Sequence, residues 1–192
     1  MRSVRVRAPA KINWTLEVLG KRPDGYHEIR SVMQTIDICD TVMLEPADEL
    51  LLRVHGDRSL RQRPPERNLA FLAAQELRRQ TGVTAGARIV LGKEIPLAAG
   101  LGGGSSDAAA VLRGLRALWE LDCSDEQLAS IAAELGSDVS FFVFGGAAIA
   151  SGRGGRIERL PEVPSRSLAI AWPKRPSWSD KTARSPSKRE QE

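Results

Sequence analysis

The feature that most constrains this chain is a glycine-rich stretch over residues 96–110, PLAAGLGGGSSDAAA. Glycine occupies position 100 and all of 102–104, where it permits positive φ and lets a ligand approach the main chain. Residues 105–107 are Ser-Ser-Asp, which suit a helix cap and first turn, and 108–118 favour helix. The stretch predicts a glycine loop leading into a helix N-terminus, whose free N–H groups and positive dipole end suit phosphate.

Two familiar phosphate-binding loops do not fit this stretch. The P-loop requires a Gly-Lys-Ser/Thr ending, and no lysine lies between Lys93 and Lys174. The dinucleotide fingerprint requires a glycine at the position of Ser105, and an acidic residue in a suitable strand about twenty residues further on. A flexible loop that only caps a helix remains the simple alternative.

Charge gives little support to nucleic-acid binding. The net charge is +4, but residues 173–192 hold six Lys/Arg against three acidic residues, so the tail supplies most of it. The remaining 172 residues are nearly neutral and long enough for one large domain. Basic strands with interleaved aromatic residues, which would indicate a single-stranded nucleic-acid surface, are absent from the sequence.

Cysteine and histidine usage favours a reducing, cytoplasmic compartment without a protein-held metal. Cys39 and Cys123 are far apart and in no metal or redox spacing, and His27 and His55 form no ligand cluster. The first eleven residues, MRSVRVRAPAK, contain no apolar core of a signal peptide, and no apolar run reaches the length of a membrane span. We therefore expect no membrane partner, and the sequence leaves the oligomeric state open.

Hydrophobic periodicity and turn residues predict an α+β chain. Strands are expected early and helices later, with a bend at Pro9 and a kink near 37–40 between two strands. The predicted strands are 3–7, 14–19, two within 28–44, 50–55 as part of a hairpin, 87–92, a hairpin within 145–155, and 168–172. The predicted helices are 68–80, capped by Asn68 and ended by Gly82, and 124–135, opened by the capping box Ser124-Asp-Glu-Gln127.

Residues 96–109 resemble the phosphate-binding motif of the GHMP kinases. Two further segments resemble the same family in the same order: PAKIN with the following DGYH (residues 9–27), and GSDVSFF (136–142), where the family usually has Gly-Ala-Asp-Val-Pro-Phe-Phe. The resemblance implies the family's N-terminal domain over residues 1–162, with a mostly antiparallel sheet and helices on one face. It fades near residue 184, so we expect 163–192 to be the start of a truncated second α+β domain followed by a polar tail.

The resemblance also implies roles for particular residues. Lys11 and Asp138 would be catalytic, and Asn13, Tyr26 and His27 would contact substrate. The nucleotide-binding set would be Pro96, Leu97, Ala98, Ala99, Gly100, Leu101, Gly102, Gly103, Gly104, Ser105, Ser106, Asn68 and Lys93. Taken singly, each residue also has an ordinary explanation, such as a solvated lysine, a turn asparagine or a helix cap. No protein-held metal is expected.

The implied activity is transfer of a phosphoryl group from ATP, with Mg²⁺, to an alcohol. The triple-glycine variant and the DGYH segment are similar to the branch that phosphorylates the 2-hydroxyl of methylerythritol linked to cytidine diphosphate, in non-mevalonate isoprenoid synthesis. Two alternatives stay open: another small-molecule GHMP kinase, for mevalonate, homoserine or a sugar, and a nucleotide-binding fragment that is catalytically incomplete.

Overall fold

The computed structural model describes residues 3–56, 64–162 and 164–171, and these contain six strands, four α-helices and a short 3₁₀ turn. The strands are β1 Val4–Lys21, β2 His27–Ala47, β3 Leu50–His55, β4 Gly86–Gly92, β5 Ala147–Gly152 and β6 Arg156–Arg159. The helices are α1 Leu69–Thr81, α2 Gly103–Leu118, α3 Asp125–Leu135 and α4 Val139–Phe144, and the 3₁₀ turn is Pro65–Arg67.

Strand β2 is the centre of a single six-stranded sheet. Along one edge it pairs with β1 over almost its whole length. On its other edge the N-terminal half pairs with β5 and the C-terminal half with β4. All pairings are antiparallel except that of β3 with β4, so the sheet is mostly antiparallel, as predicted.

The first two strands are longer than the sequence pattern predicted. The bend expected at Pro9 is wrong, because β1 continues through it with a register shift between Pro9 and Ala10. The opposite strand has an irregularity between Ile36 and Cys39, so the predicted kink exists, but the prediction of two separate strands over 28–44 is wrong. Two residues of β2, Asp37 and Ile38, are unpaired at this point, and this bulge lets the ladder continue past the proline.

Two further strand predictions differ from the structure. Residues 50–55 form a strand as predicted, but it pairs in parallel with β4 and is not part of a hairpin. The segment between β3 and β4, which contains α1, supplies the crossover that a parallel pair requires. Residues 168–171 form neither strand nor helix, which corrects the predicted strand there. Trp172 and the basic tail 173–192 lie outside the described residues.

The helices pack on one face of the sheet. The buried core joins alternate residues of β2 and β4, such as Val42, Leu44, Ile89 and Leu91, to the apolar sides of all four helices. Helix α2 lies against β1 and β2 and also contacts α1 and α4, so it is the central helix. None of the helices in the described ranges is long and apolar enough to cross a bilayer.

The predicted helix ends are confirmed for α1 and α3. The Asn68 side chain accepts a hydrogen bond from the Ala70 N–H at 3.0 Å, and Gly82 ends α1 with φ 72°. Ser124 and Gln127 form the expected reciprocal capping box at the start of α3. These local signals succeed because a cap is satisfied by atoms within a few residues of itself.

Gly114 provides a test of the packing between α2 and the sheet. A Cβ on Gly114 would lie 2.3 Å from Cδ1 of the fully buried Leu44 and 3.0 Å from Cγ2 of Val6. We expect Gly114→Ala to lower the free energy of unfolding by about 1–2 kcal/mol, because this overlap outweighs the gain in helix propensity. Chemical denaturation measures it.

The matched control is Gly20→Ala in β1, where an added Cβ would meet no atom within 4 Å. An unchanged or raised stability in Gly114→Ala would show that the α2–sheet interface adjusts freely.

Candidate active site

The glycine stretch forms a loop that is attached to β1. The N–H of Lys11 donates to the Leu101 carbonyl at 2.9 Å, next to the register shift at Pro9 and Ala10. Gly102, with φ 72°, is the residue from which α2 begins, and Ser106 N–H donates to its carbonyl at 2.9 Å. The helix therefore starts at Gly103, and Ser105 and Ser106 already lie in its first turns. The N–H groups of this first turn point away from the helix and are available to an anion.

Two of the glycines are required by close contacts. A Cβ on Gly102 would lie 2.9 Å from the Phe142 ring and 3.1 Å from the Lys11 side chain. A Cβ on Gly103 would lie 3.1 Å from Ile95. In contrast, a Cβ on Gly100 or on Gly104 would meet nothing within 4 Å. The loop is thus tightly packed on one side and open on the other.

The structure brings Lys11, Asn13 and Asp138 together. Lys11 Nζ lies 3.4 Å from Asp138 Oδ2 and donates to Asn13 Oδ1 at 2.5 Å. Asn13 Nδ2 donates in turn to Ser31 Oγ at 2.6 Å, and the Ser31 hydroxyl donates to the Thr15 carbonyl at 2.6 Å. The lysine is only 7 % exposed, whereas the Asp138 side chain is 35 % exposed. These hydrogen bonds hold the ammonium in place, whereas the carboxylate stays accessible.

Asp138 is held in place by helix α4, which starts immediately after it. Asp138 occupies the N-cap position but makes no side-chain capping bond, so its carboxylate is free to face Lys11. Phe141 and Phe142 pack edge to face at 5.1 Å in the core. Ser140, at the position of the usual proline, donates its hydroxyl to the Ala129 carbonyl at 3.0 Å. This hydrogen bond to α3 restrains the backbone at the position where the family's usual proline is missing.

A buried ion cluster lies beneath the glycine loop. The Lys93 ammonium pairs with the Asp40 and Asp107 carboxylates, and all three side chains are nearly inaccessible to solvent. Asp40 Oδ1 also accepts the N–H groups of Glu94 and Ile95, at 2.6 and 2.8 Å. The structure therefore turns Lys93 inward, and the nucleotide contact predicted for this lysine stays a prediction.

Burial raises the pKa of Asp107 to about 7, against the opposing effect of the Lys93 ammonium. One oxygen of Asp107 and the hydroxyl of Ser106 are buried without a hydrogen-bond partner. An unpaired hydroxyl in the first turns of a helix that follows a glycine loop is an arrangement that fits a phosphate group. Within the described ranges, no three His, Cys, Asp or Glu side chains form a group that could hold a metal ion.

The other predicted site residues lie away from Lys11. Tyr26 and His27 are at the tip of the β1–β2 hairpin, and His27 lies eight positions along β2 from Thr35, the pairing partner of Lys11. That is about 26 Å of strand. The exposed Tyr26 ring is covered by the Arg153 guanidinium, 3.7 Å from the ring centre. Asn68 caps α1, and its contact with adenine stays a prediction.

Sequence reasoning missed Asp40, Asp107 and Ser31 as members of the site. Asp40 could have been found from the sequence. It occupies the same alternating positions as the buried residues Val42 and Leu44, so it lies on the core face of β2. A single carboxylate at such a position requires a cation. Asp107 was treated only as a first-turn residue, and nothing in the sequence joined it to Lys93.

Comparison with known proteins agrees with this fold and site. Residues 68–146 match the family model "GHMP kinases N terminal domain". A solved 4-(cytidine 5'-diphospho)-2C-methyl-D-erythritol kinase aligns with a TM-score of 0.68 and 40 % identity, over 81 % of this chain and 55 % of the other. A homoserine kinase from Cytophaga hutchinsonii aligns with a TM-score of 0.64 at 22 % identity, covering 84 % of this chain and 52 % of the other, which shows the fold alone. The fold is therefore that of a GHMP kinase N-terminal domain, as the motifs predicted.

The curated relatives narrow the resemblance to one branch. Proteins named 4-diphosphocytidyl-2-C-methyl-D-erythritol kinase from Bacillus cereus and Bacillus anthracis are 50 % identical over 169 residues. The matched part is 88 % of this chain and 58 % of the relatives, so the chain spans somewhat more than half of their length. The resemblance inferred from the three motifs is confirmed.

Gly102 and Gly100 form a matched pair for testing the loop packing. Both have positive φ, 72° and 74°, but only a Cβ on Gly102 would collide with Phe142 and Lys11. We expect Gly102→Ala to cost about 1–3 kcal/mol more stability than Gly100→Ala. Both variants place a Cβ at a positive φ, but only the one at position 102 also overlaps its neighbours. Denaturant midpoints of the two variants test this, and equal midpoints would contradict the close contact.

The buried Asp107 predicts a pH dependence of stability. Its pKa is raised in the folded state, so the folded chain binds an extra proton between about pH 4 and 7 and its stability falls as pH rises through this window. In Asp107→Asn this contribution disappears. The stability of the native chain relative to the variant should therefore decrease with rising pH, by up to about 1.4 kcal/mol per unit.

Urea unfolding of both proteins at pH 4.5, 6 and 8 measures this difference. A difference that stays constant, or that grows with pH, would contradict the raised pKa of Asp107.

Proposed function

We propose that this chain is the nucleotide-binding part of an ATP-dependent kinase that phosphorylates the 2-hydroxyl of 4-diphosphocytidyl-2-C-methyl-D-erythritol. The observation that carries the proposal is the Lys11–Asp138 pair at 3.4 Å, held by the same strand that anchors the glycine loop. The names of the curated relatives support this choice of substrate. The proposal extends to this chain an activity whose named carriers are longer than it is.

Asp138 is placed to act as the general base. Its carboxylate is the accessible member of the pair, so an alcohol can approach it and lose a proton to it. The Lys11 ammonium would offset negative charge on the transferring group. Asn13 orients the ammonium because its Oδ1 accepts a hydrogen bond from Lys11 Nζ.

The glycine loop and α2 would hold the triphosphate. Backbone N–H groups of 100–104 and the unpaired Ser106 hydroxyl would contact phosphate oxygens, and Asn68 would reach the base. When bound, Mg²⁺·ATP supplies the transferable phosphoryl group and neutralises part of its charge. Mg²⁺ would be held mainly by the nucleotide and water, since it keeps most of its water ligands.

The hairpin tip would receive the far end of the substrate. Tyr26 and His27 lie along the same β1–β2 pair as Asn13, and a diphosphate-linked nucleoside is long enough to use contacts at two places. Arg153, which stacks on Tyr26, adds a positive charge at the tip.

The free cysteines Cys39 and Cys123 agree with a cytoplasmic location.

Asp138→Asn tests the assignment of the base. We expect the variant to lose about 10²–10⁴-fold in kcat with ATP, Mg²⁺ and the cytidylated methylerythritol, while its affinity for ATP is retained. A coupled assay for ADP gives the rate, and calorimetry gives the affinity. Asp122→Asn is the control, since Asp122 is an exposed aspartate in the connection between α2 and α3.

Turnover that is retained in Asp138→Asn would show that Asp138 is not the general base. Binding of ATP without turnover in the unaltered chain would leave a nucleotide-binding domain that cannot complete the reaction. A folded chain that neither binds ATP nor turns over would overturn the proposal as a whole.

A further inference from the structure

Both ends of the glycine loop lie close to one buried carboxylate. The loop residues 96–102 lie between Ile95 and the start of α2. On the entering side, Asp40 Oδ1 accepts the N–H groups of Glu94 and Ile95. On the leaving side, the Cβ position of Gly103 is 3.4 Å from Asp40 Oδ2. The seven loop residues thus start at a point that is hydrogen-bonded to Asp40 and end at a point that lies next to it.

Lys93 extends this attachment into helix α2. Its ammonium bonds to Asp40, which is completely buried on β2, and to Asp107 in α2. The three charges join the central strand, the segment after β4 and the first turns of the helix. An ion pair at this depth is rigid, because separating the charges would leave each of them without water or a partner.

The loop itself contains a conformation that needs such support. Ala98 has φ 56°, in the left-handed region that residues with a Cβ disfavour. A conformation of this kind persists only when the surrounding structure determines it. Neither Ala98 nor Gly100 is buried, so the restraint comes from the two ends of the loop and from Leu101, whose carbonyl accepts the Lys11 N–H.

We propose that Asp40 is a positioning residue for the nucleotide loop: through Lys93 and the amides of Glu94 and Ile95, it fixes the ends of 96–102 so that the loop is ready to bind phosphate. This inference rests on the proposed function. Asp40 does not contact the nucleotide. Its effect is to reduce the ordering that the loop would otherwise undergo on binding.

Asp40→Asn is the variant that separates charge from shape. The amide has the size of the carboxylate, and its oxygen still accepts the Glu94 and Ile95 N–H groups. Its NH₂ group, however, faces the Lys93 ammonium, so donor meets donor. The lysine keeps Asp107 as its partner, and the connection to β2 is lost.

Two measurements on the full chain test the proposal. In Asp40→Asn without nucleotide, amide hydrogen exchange over 96–106 should be at least about 10-fold faster, while that of 125–135 in α3 stays unchanged. Calorimetry should show about 10-fold weaker ATP binding, the size expected when a binding group is misplaced without being removed. Glu45→Gln is the matched control, because Glu45 is an ion-paired carboxylate on the same strand, bonded to Arg88 at 3.1 Å.

Three results would overturn the proposal: unchanged exchange over 96–106, unchanged ATP affinity, or faster exchange spread evenly over the domain. If Asp40→Asn does not fold, Asp107→Asn breaks the same cluster from the helix side and must show the same localised effect. An unaltered chain that does not bind ATP would overturn the proposed function. Faster amide hydrogen exchange over 96–106 in Asp40→Asn would then still support the attachment of the loop to Asp40.

Discussion

Lys11 is the residue on which the geometry of the site depends, because it acts through both its backbone and its side chain. Its N–H bonds to Leu101 and so attaches the glycine loop to β1. Its ammonium lies between Asn13 and Asp138 and so attaches α4 to the same strand. Lys11 keeps its place opposite Thr35 in the β1–β2 ladder while it makes both contacts. One strand residue therefore sets the distance between the loop and the carboxylate.

The buried cluster of Lys93, Asp40 and Asp107 is the second constraint. Charges in an apolar interior are costly unless they are paired, and here two carboxylates share one ammonium. Burial raises the pKa of Asp107, and the neighbouring Asp40 carboxylate adds to the effect. Such a cluster adds less to stability than apolar side chains of equal volume would. Its value lies in joining three segments that differ widely in sequence position at one fixed point beneath the loop.

Local signals in the sequence predicted much of the fold. The caps at Asn68 and Ser124 and the stop at Gly82 were correct, because each depends on atoms a few residues away. The path of β1 through Pro9 and the parallel pairing of β3 with β4 were not predictable in this way. Both depend on which strand lies alongside and which hydrogen bonds it makes. The hydrophobic periodicity of a strand does not identify its neighbour.

The sequence by itself determined the family and the order of the three motifs, since these are patterns of residue types at short spacing. Only the tertiary structure decided that Lys11 faces Asp138, 127 positions later, and that Lys93 turns inward to Asp40 instead of outward. Contacts at such separations arise when the sheet and helix α2 bring distant segments together. Side-chain direction then follows from the charges that each segment meets there.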